Sequence, residues 1–162
     1  MRNNAGVTFV ETMLAVALLS ISIMGSFSLI VKTTRLVQGT HNQFIAAHLA
    51  QEGMELVHNI RMNNWIANAA WDAGLSDGDY RADYTSATLC SVVSCPSYAL
   101  YTDASGRYAH AVATATPFSR RINLLHQTYF EGATSVTYLR VQSIVTWGSI
   151  QFTAEENLYD WK

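Results

Sequence analysis

The segment that decides the fold is TMLAVALLSISIMGSFSLIV at residues 12–31, which contains no charged side chain. At about 1.5 Å of rise per residue, about 20 helical residues cross the roughly 30 Å hydrocarbon core of a bilayer. The segment therefore predicts a membrane-spanning helix. Gly25 and the serines of this segment would let the backbone of a neighbouring helix approach closely.

Apolar residues recur at helical spacing after this segment, and a polar stripe lies opposite to them. We therefore predict that residues 32–62 continue the same helix in amphipathic form. An unbroken helix of this extent would be roughly 80 Å long, so lipid or partner subunits must cover its first half. The apolar positions are Ile45, Leu49, Leu56 and Ile60, with Ala46, Ala50, Gly53 and Val57 beside them, and the polar stripe is His41, His48, Glu52, Glu55 and Asn59.

The periodicity fails in residues 63–97, which are rich in turn-forming residues and hold both cysteines. We predict an irregular connector here. Cys90 and Cys95 are too few for a cysteine zinc site and lack the C-x-x-C spacing of a redox motif. We favour a small local disulfide over two buried thiols, on the expectation that this part of the chain lies outside the cytoplasm, where disulfides persist.

Residues 98–162 are predicted to form an antiparallel sheet of about four strands. Gly148 and Ser149 fit a two-residue turn that pairs Trp147 with Ile150 and Val145 with Phe152. The residues 103–106, Asp-Ala-Ser-Gly, predict a second hairpin between strands at 98–101 and 107–113. A strand from Arg120 to Tyr129 offers Ile122 and Leu124 to the same core, and Leu139 and Val141 alternate toward it. The fold class is therefore α+β, with the helix packed against the sheet.

The composition excludes some classes of function. The formal net charge is −2, which gives no electrostatic argument for nucleic acid. Arg107, Arg120, Arg121 and Arg140 could form a basic patch that contacts DNA, but strand alternation sends some of them to opposite faces. Ordinary surface charges are the favoured interpretation.

No motif in the sequence indicates catalysis, a cofactor or a metal. The helical histidines lie seven and ten residues apart, which does not match a two-histidine metal face, and a solvated stripe is favoured. Four aromatic residues of the connector could line an adhesive surface, although packing against the helix is favoured. The histidines are His41, His48 and His58, and the aromatics are Trp65, Trp71, Tyr80 and Tyr84.

The N-terminus reads MRNNAG followed by VTFVE, with Glu11 at the edge of the apolar segment. This pattern resembles the prepilin processing motif of type IV pilins and type II secretion pseudopilins. The resemblance implies that a membrane peptidase cuts after Gly6 and that Val7, where the family usually has Phe, becomes the N-methylated first residue. Glu11 would then be the fifth mature residue. The segments AQEGMELVHNIRMNNW, TPFSRRINL and VTWGSIQFTAEENLYDW resemble the family's minor subunits more loosely.

Physical chemistry also gives Glu11 a special position. A carboxylate at the head of an apolar helix costs several kcal/mol unless it stays at the membrane interface or meets a cation. Cleavage would create such a cation at Val7, four residues earlier on the same helix face. In the first turn the carboxylate also complements the helix dipole. In the family, this glutamate is thought to meet the amine of the neighbouring subunit during assembly.

The sequence thus predicts a structural minor subunit of a type IV pilus-like filament, in the inner membrane with its head outside the cytoplasm. Its partners would be other pilin or pseudopilin subunits, the prepilin peptidase, the assembly machinery and the bilayer. The main alternative is a type II secretion pseudopilin. A binding protein cut at an ordinary signal peptide before Leu29, and a membrane-tethered enzyme, are weaker alternatives. Lys32 and Arg35 after the span, against Arg2 before it, oppose the usual positive-inside bias.

The predicted parts are a leader at 1–6, the membrane half of the helix at 7–31, its amphipathic half at 32–62, the connector at 63–97 and the sheet at 98–162.

Overall fold

The computed structural model describes residues 8–111, 113–132 and 134–160. Within these residues the chain forms one α-helix followed by β-strands. The chain divides into two compact units, residues 1–42 and residues 43–162, and the second unit is called the head. The helix is α1 (Phe9–Ile66), and the strands are β1 (Gly78–Arg81), β2 (Cys90–Ser91), β3 (Ala99–Thr102), β4 (Tyr108–Ala109), β5 (Thr114–Glu131), β6 (Thr134–Trp147) and β7 (Ile150–Tyr159).

The first unit holds the apolar part of α1. Every large apolar side chain from Phe9 to Val37 is between 49% and 79% exposed. By length and composition, α1 is the one helix among the described residues that is long and apolar enough to cross a membrane.

The end of α1 is defined by its backbone. Asn68 adopts a left-handed conformation with φ of 52°, which asparagine tolerates better than most residues. The N–H of Ala69 donates to the carbonyl of Asn64 at 2.9 Å, and that of Asn68 donates to Trp65 at 3.1 Å. This pair of bonds is a Schellman motif, which satisfies the last helical carbonyls.

All strands of the head pair antiparallel in one sheet around the long strand β5. On one side β5 pairs with β3 through its first residues and with β1 farther along. On the other side it pairs with β6 along its length, and β6 pairs with β7. The α+β prediction is confirmed, and the sheet formed by the described residues has seven strands rather than about four. Two of them, β1 and β2, lie within residues 63–97, where no strand was predicted.

Both predicted hairpins are confirmed. Gly148 has φ of 57° and joins β6 to β7 in the predicted register, Trp147 opposite Ile150 and Val145 opposite Phe152. Ile150 is nevertheless 53% exposed because it lies at the end of the sheet. The other hairpin pairs β3 with β4, which has only two residues. Asp103 closes its turn by accepting the N–H of Ser105 at 2.8 Å.

The core lies between the sheet and the part of α1 within the head, and it has two apolar clusters. In one, Ala46, Leu49 and Ala50 pack with Leu100, Phe118, Val145 and Trp147; in the other, Met54 and Val57 pack with Leu75, Ala82, Ile122, Leu124, Leu139, Val141 and Leu158. The helix buries Ala46, Ala50 and Gly53 together with three larger apolar residues, Leu49, Met54 and Val57, while Ile45, Leu56 and Ile60 are half-buried. Small side chains let the sheet approach the helix closely.

Candidate functional site

The start of α1 is capped by the residues of the predicted processing motif. The side-chain oxygen Oγ1 of Thr8 accepts the N–H of Glu11 at 3.3 Å, and the carbonyl of Thr8 accepts the N–H of Thr12 at 3.1 Å. Thr8 is therefore the N-cap residue, and Glu11 occupies the third helical position. A threonine N-cap with a glutamate three residues later is the capping-box pattern.

Glu11 is exposed in the first turn of the helix. Its carboxylate lies where the unsatisfied N–H groups carry a partial positive charge, which favours a negative side chain. The next charged residue along the chain is Lys32. Glu11 therefore carries the lone charge at the head of a long apolar surface.

Hydroxyl side chains within the apolar part of α1 have their hydrogen bonds inside the helix. Ser20, Ser22 and Ser26 donate to the carbonyls four residues earlier, at 2.7 to 2.9 Å. In hydrocarbon an unsatisfied polar group costs several kcal/mol. These bonds allow the serines to face lipid or another helix without that cost.

Gly6 and Val7, the predicted cleavage and methylation positions, lie outside the described residues. The processing prediction therefore stays a prediction.

The structure joins Cys90 and Cys95 in a disulfide, with their Cα atoms 5.9 Å apart. The bond closes a tight turn, in which the N–H of Cys95 donates to the carbonyl of Ser91 at 2.8 Å. The N–H of Val92 donates to Asp79 at 3.2 Å, so the turn is attached to β1.

Arg120 lies between the two apolar clusters and is fully buried. Its Nη1 donates to the carbonyl of Leu49 at 2.9 Å and forms an ion pair of 3.0 Å with Glu52. Its Nη2 donates to the carbonyl of Ala82 at 2.6 Å. Gly53 makes room for this layer, because a Cβ atom there would clash with Ser143 Oγ and lie 3.3 Å from Cδ of Arg120.

Arg120 is therefore not part of a basic surface patch. Arg121 pairs with Asp79 at 3.0 Å, and Arg107 pairs with Asp103 at 3.4 Å. The sequence interpretation missed the buried role of Arg120, although a signal for it existed. Strand alternation places Arg120 on the same face as Ile122 and Leu124, both of which were predicted to be core residues.

A second buried polar group attaches the connector to the sheet. Asp83 accepts the N–H of His110 at 2.8 Å and the hydroxyl of Thr85 at 2.6 Å. Burial by itself raises the pKa of Asp83, but the hydrogen bonds from His110, Thr85 and Ser86 outweigh it and lower the pKa below its usual value. Burial lowers the pKa of His110, whose Nδ1 lies 3.0 Å from the carbonyl of Ala99.

The histidines and aromatics are divided between surface and core. His41 and His48 are exposed, and His58 contacts Glu156 at 2.9 Å. The prediction of core packing is confirmed for Trp71 and Tyr80, which pack against the second apolar cluster. It is wrong for Trp65, which is 53% exposed, and for Tyr84, which is 41% exposed. Trp65 follows the last buried turn of α1, where the sheet no longer covers the helix.

Comparison with protein families gives a match to the prokaryotic N-terminal methylation motif over residues 1–27. The match covers the predicted leader, Glu11 and much of the apolar segment. It is not a match to an enzyme family. Nothing matches the chain among curated proteins or solved structures.

Proposed function

A chain that carries this methylation motif and then a long apolar helix is type IV pilin-like, and from that premise we propose that it is a structural minor subunit of a type IV pilus-like filament. The precursor would be cut after Gly6 and methylated on Val7. The subunit would then assemble through the apolar part of α1, and it would have no catalytic role.

The observation that carries this proposal is the exposure of the apolar helix surface. Removing one large apolar side chain from water is worth about 1.5 to 3 kcal/mol, and the side chains from Phe9 to Val37 are mostly exposed. A bilayer can cover this surface before assembly, and the helices of neighbouring subunits can cover it afterwards. Charged side chains are unfavourable in both environments, and residues 12–31 contain none.

Glu11 would guide the transfer from bilayer to filament. Cleavage would place a new positive amine at Val7, directly before the N-cap Thr8. The Glu11 carboxylate is exposed, so it can pair with this amine or with that of an adjacent subunit. An unpaired carboxylate drawn into a bundle of apolar helices costs several kcal/mol, so assembly in the correct axial register would be favoured.

The location and partners follow from the same reasoning. We propose that the chain is anchored in the inner membrane with its head outside the cytoplasm, where disulfides such as Cys90–Cys95 persist. Its partners would be other pilin subunits and the prepilin peptidase. The basic residues Lys32 and Arg35 would lie on the outer side, against the usual charge bias.

The test is to co-express the chain with a prepilin peptidase and to sequence the membrane-associated product by mass spectrometry. We expect a product that begins with methylated Val7. Gly6→Leu should abolish cleavage, whereas Gly25→Leu, at a helix position with no atom within 4 Å of a new Cβ, should not. A product that begins at Leu29, or one that retains residues 1–6, would contradict the proposal.

Assembly needs a separate measurement. Glu11→Gln should leave cleavage intact but reduce incorporation into purified filaments, while Glu55→Gln, a matched exposed carboxylate on the same helix, should not. A chain that is processed and required for protein export, but absent from surface filaments, would instead be a type II secretion pseudopilin.

A further inference from the structure

The head contains a cleft at the end of α1, beside the last residues of β7. Its first part has a volume of about 400 Å³ and is lined by Arg61, Met62 and Trp65 from the helix, and by Trp71 and Asp72 from the connector. This volume lies within the range of small-molecule sites, about 300 to 1,000 Å³.

A second cavity of about 390 Å³ borders the first. Trp71, Asp72 and Asp160 line both cavities, so the two are neighbours, and together they are called the cleft. The second part is more polar, because Ser135 and Thr137 of β6 contribute to its lining. The cleft therefore has an apolar end and a hydroxyl-bearing end.

The apolar end presents aromatic surface to solvent. Trp65 is 53% exposed and Met62 is 50% exposed. The ring of Trp71 is held by neighbours on two sides, with the Arg61 guanidinium 5.9 Å and the His126 ring 6.3 Å from its centre. Exposed apolar groups that line a preformed concavity are typical of a binding site.

The charges of the cleft favour an uncharged ligand. Arg61 already lies over Trp71 and donates to the carbonyl of Tyr159 at 2.6 Å, so a cationic ligand would meet a cation on that ring. An anionic ligand would meet the carboxylates of Asp72 and Asp160. A carboxylate accepts hydrogen bonds readily from hydroxyl groups.

We propose that this cleft binds a neutral oligosaccharide of at least two rings. The C–H face of one ring packs on Trp65 and Met62, and its hydroxyls donate to Asp72. The next ring extends toward Ser135 and Thr137. A pyranose combines an apolar face with a rim of hydroxyls, which matches the division of the cleft into apolar and polar parts. This inference does not depend on the filament proposal.

The test uses the full chain in lipid nanodiscs, since detergents with sugar headgroups would compete for the cleft. Saturation-transfer NMR is recorded with neutral trisaccharides built from glucose, galactose, mannose or N-acetylglucosamine. We expect ring-proton signals from at least one of them. Trp65→Ala should weaken its binding by about tenfold, as the loss of one aromatic packing partner predicts. Phe44→Ala removes an aromatic that is 64% exposed on α1, well before Trp65 in the sequence, and it should leave binding unchanged.

Near-UV circular dichroism establishes that each variant is folded, and Asp72→Asn provides a second variant that should weaken binding. The proposal is overturned if no trisaccharide binds at millimolar concentration, if Trp65→Ala binds as well as the original chain, or if tetramethylammonium binds in preference. Binding seen only after the chain is shortened at Asp160 would contradict it as well.

Discussion

Arg120 and Glu52 form one ion pair, but removing Glu52 should destabilise the head more than replacing Arg120. Arg120 is fully buried, whereas the side chain of Glu52 is 32% exposed. Glu52→Ala leaves a buried cation without its counter-charge, which costs about 3 to 5 kcal/mol. We expect about 3 kcal/mol, the lower end, because the carbonyls of Leu49 and Ala82 still accept from the guanidinium.

Arg120→Met should cost less. Glu52 can then be hydrated, so the main loss is the partner of the Ala82 carbonyl, about 1 to 2 kcal/mol. In that background Glu52→Ala acts as a surface substitution and should change the free energy of unfolding by only about 0.5 kcal/mol. The coupling between the two positions is therefore about 2.5 kcal/mol, from 3 minus 0.5.

The assay is urea unfolding of the full chain in detergent micelles, followed by tryptophan fluorescence. All four tryptophans follow residue 43 in the sequence, so the signal reports on the head. Glu55→Ala is the control, because Glu55 is exposed on the same helix and should change stability by no more than about 0.5 kcal/mol. The reasoning from unequal burial is refuted if the double variant loses the sum of the unfolding free energies that the two single variants lose. It is also refuted if Arg120→Met loses more than Glu52→Ala.

Three further predictions concern the head. Gly53→Ala should destabilise it by about 1 to 2 kcal/mol in urea unfolding, because overpacking outweighs the gain in helix propensity. Combining Gly53→Ala with Ser143→Ala should recover part of that loss. If Gly53→Ala costs the same with Ser143 present as with Ser143 replaced, the predicted clash is contradicted. Because burial holds the pKa of His110 below its usual value, the folded state takes up its proton less readily than the unfolded chain. Stability should therefore fall as the pH drops below about 6.5, and His110→Asn, which keeps a hydrogen-bond donor, should reduce the slope of unfolding free energy against pH. Replacing Cys90 and Cys95 together by serine should lower the unfolding free energy by about 2 kcal/mol, as expected for so short a loop, and no change on replacement or on chemical reduction would exclude a stabilising bridge.

The long helix and the hairpins could be predicted because their signals are local. The helix follows from an uncharged segment and from apolar residues, such as Ile45 and Leu49, that recur at helical spacing. The β6–β7 register follows from the turn at Gly148, and a one-residue slip would turn Val145 and Trp147 away from the core. The α+β class follows from these elements. These elements can be predicted without knowing any contact between residues that are far apart in the sequence.

The short strands β1 and β2 could not be predicted in this way. Their pairing depends on residues far away in sequence, with Gly78 opposite Leu124 and Tyr80 opposite Ser91. The four residues of β1 are too few to show an alternation of apolar and polar side chains, and the two residues of β2 show none. The cleft at the end of α1 has the same origin, because it brings Trp65 of the helix to Asp160 and Thr137 of the sheet.

For Arg120, the alternation of side chains along a strand predicts the correct face, but the usual exposure of arginine argues against it. Alternation places it on the core face, but an arginine is usually interpreted as exposed, because a buried charge is tolerated only with several partners. One turn of the helix supplies two of those partners, the Leu49 carbonyl and the Glu52 carboxylate, and the connector supplies the third, the Ala82 carbonyl. Gly53 leaves the space for the side chain. Apolar burial is non-directional, so the clusters on both sides of Arg120 specify the position of the helix along the sheet less strictly than a charged, hydrogen-bonded contact does. A shift by one turn would separate the guanidinium from Glu52 and from the space at Gly53, so the polar layer favours the observed register of the helix on the sheet.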